Sequence, residues 1–197
     1  MESNKDHLEA IRDIKNYMEI SSRYLPLSGI AGIVNGLLSL IVAWIVKTKI
    51  EFNSTNQSIL LLLFGSLLLI SLLVEIVMAE RNAKRKQIDA WDSTAKRFLI
   101  NLFIPLLAGG IYCLILFNAE LFDLVLPATL IFYGLALINS SKYTIADIRL
   151  LGIIELSLGL IASYYTESGL LFWATGFGIL HIVYGILIYQ KHEKTKA

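Results

Sequence analysis

Six stretches of about twenty residues, nearly free of charge, restrict what this chain can fold into more than any other feature. A helix needs about 20 mostly apolar residues to cross roughly 30 Å of hydrocarbon. The stretches cover residues 26–46, 57–79, 98–117, 120–139, 146–165 and 169–189 of a 197-residue chain. Soluble domains carry about 25% charged residues because their surface faces water. Here the share is 17%, gathered between the apolar runs. Backbone polar groups in lipid must bond within their own segment or close into a barrel, and runs of this length select helices. The expected fold is all-α: a polytopic membrane protein, a six-transmembrane-helix bundle built largely of antiparallel hairpins.

The division that follows is a cytoplasmic amphipathic N-terminal helix at 1–25, a transmembrane domain at 26–189 and a cytoplasmic tail at 190–197. Residues 118–119 and 166–168 are tight turns, so the third and fourth segments, and the fifth and sixth, read as hairpins. Residues 80–97 read as a charged helical extension into water. The first 25 residues are polar and mixed in charge, unlike a cleavable signal peptide. The chain is therefore expected to insert through its own first segment.

Lys and Arg are in excess in cytoplasmic loops. Fifteen of the seventeen fall in the arm, the second and fourth connections and the tail, and only Lys47 and Lys49 fall on the other side. Both termini are expected in the cytoplasm. In the arm, Leu8, Ile11, Ile14, Met18 and Leu25 recur at helical spacing. Its polar side balances acidic against basic residues, whereas a helix made to lie on anionic lipid is rich in Lys and Arg. That balance suits packing against protein, either this chain's own cytoplasmic ends or a partner.

Helices in lipid associate through close approach at small residues and through polar contacts. Gly29, Gly32, Gly36, Ser39 and Ala43 share one side of the first segment. Gly152, Gly159 and Ser163 do so in the fifth, and Ala174, Gly178 and Gly185 in the sixth. These faces are expected to turn inward, with the first, fifth and sixth segments meeting. Asn35, Glu155 and His181 lie near mid-depth on or beside these faces. An ionisable group at the centre of a spanning helix costs about 2.5–3.5 kcal/mol on insertion scales, so it calls for an explanation. Convergence of the three gives a candidate midplane site in which an acid and an imidazole bind and release a proton or hold a polar solute. The alternative is interhelical glue, at about 0.6 kcal/mol per hydrogen bond. Glu75, near the end of the second segment, reads as a residue that snorkels to the interface.

Several function classes are absent from the sequence. There is no phosphate loop, HExxH pair or nucleotide fingerprint. Of His7, His181 and His192 only one lies within a segment, and the single Cys113 cannot build a structural zinc site. No enzyme activity, cofactor or metal is expected, and a net charge of +1 points to no nucleic acid. The expected partners are the lipid bilayer, a cytoplasmic protein and further copies of the chain.

Residues 21–32, Ser21–Ser22–Arg23–Tyr24–Leu25–Pro26–Leu27–Ser28–Gly29–Ile30–Ala31–Gly32, resemble the start of small, uncharacterised six-helix inner-membrane proteins of Bacteroidota-type bacteria. The resemblance covers about a tenth of the chain. It implies a location, the bacterial inner (plasma) membrane, and no chemistry. Two functions follow from the whole sequence. One is a non-enzymatic membrane partner or sensor that engages a cytoplasmic protein through the arm and the basic 80–97 connection. The other is a small proton-linked transporter or channel using Asn35, Glu155 and His181.

Overall fold

The computed structural model describes residues 28–50, 54–87, 89–145 and 147–194, and among them every element is helical. The amphipathic arm expected at 1–25 lies outside the described residues. Five long helices run in order: α1 Gly29–Lys49, α2 Gln57–Lys86, α3 Ser93–Asn118, α4 Phe122–Ser140 and α5 Asp147–Tyr164. The last, which we call α6, begins as an α-helix over Gly169–Trp173 and widens to a π-helix over Ala174–Leu180. It returns to α over His181–Ile188 and ends as π over Tyr189–Glu193.

Five spans, Gly29–Lys49, Gln57–Arg85, Ser93–Asn118, Phe122–Tyr143 and Thr166–Lys191, are long and apolar enough to cross a membrane. The fifth predicted segment is weaker by the same measure. Helix α5 has eighteen residues and carries Asp147, Arg149 and Glu155 within them. The surface agrees with a lipid environment: large apolar side chains such as Leu62, Leu69, Ile104 and Leu107 stand more than half exposed on α2 and α3. Large apolar patches are rare on monomers in water.

The predicted 80–97 extension is not one continuous helix. Helix α2 runs on to Lys86 and stops where Gln87 takes a left-handed conformation (φ 55°). Its amide closes the last turn on the carbonyls of Ala83 and Lys84, a cap usually given to glycine. Helix α3 then starts on Asp92, whose carboxylate accepts from the Ala95 amide at 2.7 Å.

Packing departs from the simple hairpin plan. Helices α3 and α4 form a hairpin, but α5 packs mainly along α4 and less extensively on α6, which packs along α1. Two glycine seams explain this. On α1 and α6 the backbones approach so closely that a Cβ on Gly32 would lie 3.2 Å from the Gly185 Cα. A Cβ on Gly36 would lie 2.7 Å from the Gly178 carbonyl oxygen. On α4 and α5 a Cβ on Gly152 would lie 2.8 Å from the Gly134 oxygen, and one on Gly159 2.8 Å from the Ile131 amide. The faces of the first and sixth segments do meet as expected. The face of the fifth is taken by α4, whose Gly134 supplies the complementary notch.

Polar contacts fasten these pairs. Pro105 has no amide to give the Asn101 carbonyl, and Asn139 of α4 fills the vacancy, its Nδ2 donating to that oxygen at 2.8 Å. The break that a proline makes in α3 thus becomes a tie between two helices. At the other seam the Gly29 amide, unsatisfied by its own helix, donates to Glu193 Oε1 at 2.6 Å. A carboxylate at this N-terminus also meets the positive end of the helix dipole. The start of α1 and the end of α6 are therefore tied together.

Candidate functional site

Glu155 sits at the ninth position of α5, halfway along it, and is fully buried. Helix α6 crosses here with Gly176 against it, and a Cβ at that position would collide with Glu155 Oε2 and come 2.6 Å from Leu130 Cδ2. The absence of a side chain at 176 is what lets a carboxyl group lie in the interface. Neither Glu155 oxygen has a hydrogen-bond partner among the described residues.

His181 is the first residue after the π-helical stretch, and this wider winding orients its ring. Its Nδ1 lies 2.9 Å from the Gly176 carbonyl, five residues back, and 3.5 Å from Glu155 Oε1. A carbonyl only accepts, so Nδ1 carries a proton. In the neutral ring Nε2 is then the acceptor, and the Tyr133 hydroxyl donates to it at 2.8 Å. Irregular π turns recur at functional sites because they redirect side chains in this way. The result is a relay: the phenol of α4, the imidazole of α6 and the carboxyl of α5.

An aromatic column backs this relay. Trp173, Phe177 and His181 follow at four-residue spacing, with ring centroids 5.2 Å and 5.6 Å apart. Tyr133 closes against both Phe177 (4.9 Å) and His181 (5.3 Å), and Phe64 of α2 meets Trp173 edge-on at 5.3 Å. Faces and edges of aromatic rings carry opposite partial charge, and the tilted and edge-on contacts in this column pair them.

The three residues expected to converge do so only in part. Glu155 and His181 meet. Asn35 of α1 is buried, but its Nδ2 donates to Glu75 Oε1 at 3.1 Å, and its own Oδ1 is left without a partner. Glu75 therefore does not snorkel away: α2 is thirty residues long, and its Glu75 turns onto α1 inside the bundle.

Tyr133, Glu75 and Tyr184 were missed by sequence reasoning. Tyr133 is the twelfth of nineteen residues in α4, far from either end, where an aromatic belt has no use for it. That depth was the available signal. Tyr184 has a buried hydroxyl without a hydrogen-bond partner among the described residues, and it packs against the same apolar cluster as Tyr133. It lines a groove of about 430 Å³ between α5 and α6, whose outer end carries the pair formed by Lys191 Nζ and Asp147 Oδ2 at 2.7 Å. No protein family, curated protein or solved structure matches this chain. What the site can do rests on its own chemistry.

Proposed function

We propose that this chain is a six-span protein of the bacterial inner membrane, with both ends cytoplasmic, that links the binding and release of a proton at Glu155 to the passage of a small solute. The observation that carries this reading is the buried Glu155 carboxyl, without a hydrogen bond and beside a His181–Tyr133 pair that is already satisfied. Glue explains a polar residue that makes bonds across an interface. It accounts poorly for Glu155, whose approach to His181 Nδ1 at 3.5 Å is too long for a good hydrogen bond, because a buried polar group without one costs about 1–3 kcal/mol. An acid kept in that condition is suited to changing its protonation state, as intramembrane carboxyl and histidine groups do in proton-linked carriers.

The six-span, inward-ended topology is supported by the fifteen-to-two division of Lys and Arg. It is also supported by the tie between the Gly29 amide and Glu193, since ends that meet require an even number of crossings. Helix α5 would then be the costliest crossing, made tolerable by its glycine seam with α4. A reporter fused after residue 197 is expected to be active only as a cytoplasmic fusion; activity as a periplasmic fusion would overturn the six-span topology. The reading as a membrane partner or sensor rests on the 1–25 arm and would regain ground if the following experiment fails.

Infrared difference spectra of the protein in liposomes, recorded between acid and alkaline buffer, should contain a protonated-carboxyl carbonyl band that disappears on deprotonation. Glu155→Gln keeps the shape and removes the acid, so it should abolish that band while leaving the helical amide signal unchanged. A band that survives the substitution, or a wild-type spectrum without one, would sink the proposal.

A further inference from the structure

We propose that Glu75 of α2 and Asn35 of α1 form a second proton-binding site, whose proton stays in place and fastens the two helices. The inference stands on geometry away from Glu155 and goes beyond the reading above. Asn35 lies between Gly32 and Gly36 on α1. A Cβ on the first would come 3.3 Å from the His181 carbonyl oxygen, and one on the second 2.7 Å from the Gly178 oxygen. Asn35 is therefore at the depth of His181, well inside the bundle. Glu75 reaches it from the nineteenth position of α2.

The hydrogen bonding between the two side chains is half complete. Asn35 Nδ2 donates to Glu75 Oε1 at 3.1 Å, while Asn35 Oδ1, in a residue only 9% exposed, has no partner among the described residues. An amide offers a donor and an acceptor from one planar group, and a carboxylic acid offers the complement. A proton on Glu75 Oε2 turns the single bond into a two-bond ring, with Oε2–H donating to Oδ1. An ionised carboxylate cannot close that ring, because it only accepts. It would leave the buried Oδ1 bare and set two acceptors side by side. Turning the amide over does not remove the demand. Oδ1 would then face Oε1, and the acid would again have to donate.

No positive side chain among the described residues stands in for that proton. Helix α1, against which α2 packs, presents Asn35 here, and its only charged side chains, Lys47 and Lys49, lie in its last turn. One turn to either side of Glu75 on α2, Ser71, Leu72, Met78 and Ala79 carry no charge. Helix α6 meets α2 where Trp173 touches Phe64, about three turns away. At the depth of Asn35 its His181 is neutral and bonded to Tyr133. Helix α3 follows α2 closely in sequence yet does not pack along it. A hard metal ion, which takes about six oxygen ligands, would find two. The two acids thus differ in kind. Glu155 is held by no hydrogen bond and is free to exchange its proton. Glu75 is matched by its neighbour only while it carries one.

Solid-state NMR of the full-length protein in liposomes, isotope-labelled at the glutamate carboxyl carbons, separates protonated from ionised groups. In alkaline buffer one glutamate resonance should remain at the position of a protonated acid. Glu75→Gln should remove that resonance and leave resistance to denaturing detergent unchanged, because glutamine makes the same two bonds to asparagine. Asn35→Leu should let the resonance titrate, and should add a second carboxyl band to the infrared difference spectrum. If Asn35→Leu does not fold, the wild-type and Glu75→Gln spectra decide. A Glu75 that ionises in the wild-type protein, a resonance that moves when sodium replaces choline, or a proton retained in folded Asn35→Leu would each overturn the inference. Glu155 is read in the same spectra by its loss in Glu155→Gln. A titrating Glu155 beside an ionised Glu75 would remove the second site and leave the proton-linked function standing. An inert Glu155 beside a protonated Glu75 would do the reverse.

Discussion

Gly185→Ala is expected to destabilise the bundle by about 1–3 kcal/mol, the range for an added methyl group that a packed interior cannot absorb. The new Cβ would lie 2.5 Å from the Gly29 carbonyl oxygen and 2.7 Å from the Ile33 amide nitrogen. Both are backbone atoms of α1, so no rotamer change can relieve the contact and the two helices must separate. Separation also draws the Gly29 amide away from Glu193, whose capping bond crosses the same seam. Unfolding of the purified protein in mixed micelles, by titration with a denaturing detergent, measures the effect. Gly65→Ala provides a control of opposite sign. Nothing lies within 4 Å of a Cβ there, and replacing a glycine inside a helix by alanine is worth roughly 0.5–1 kcal/mol. Similar losses at both positions would mean that the seam between α1 and α6 is not the contact described.

Gly176→Ala is expected to cost a comparable 1–3 kcal/mol, and to disable the site as well. Its Cβ would meet the Glu155 carboxyl and the Leu130 side chain, and Leu130 is itself fully buried and has nowhere to go. The carboxyl must rotate or α6 must shift. A shift of α6 strains the π turn whose Gly176 carbonyl holds His181 Nδ1. The Glu155 carbonyl band should move in the infrared. The double variant Gly176→Ala with Glu155→Ala separates the two causes. If the methyl group acts through the carboxyl, removing the carboxyl should relieve the cost, with a coupling of about 0.5–3 kcal/mol. Additive losses would mean that position 176 acts on the backbone alone.

Much of this architecture is legible in the residues alone. Uncharged runs of about twenty residues mark the helices, because hydrocarbon excludes charge whatever the neighbours are. The small-residue faces of residues 29–43 and 174–185 announce a close approach, and the two do meet. The partner of the third face is not legible. Gly152 and Gly159 ask only for a surface that comes near, and α4 and α6 could each offer one. Gly134, a single glycine in an apolar run, decides for α4.

The same limit governs the site. Asn35, Glu155 and His181 stand out because polar groups at membrane depth are costly, and that cost is a property of each residue by itself. Their pairing is not. Glu75 reaches Asn35 because α2 runs thirty residues and carries its acid alongside α1. Tyr133 enters because α4 lies across from the π-wound stretch of α6, whose wider turns carry His181 toward it. Hydropathy and residue size act locally and can be read along a chain. Which helix lies against which, and which acid is left unbonded, depends on contacts between residues far apart in sequence, and only the packed tertiary structure selects among them.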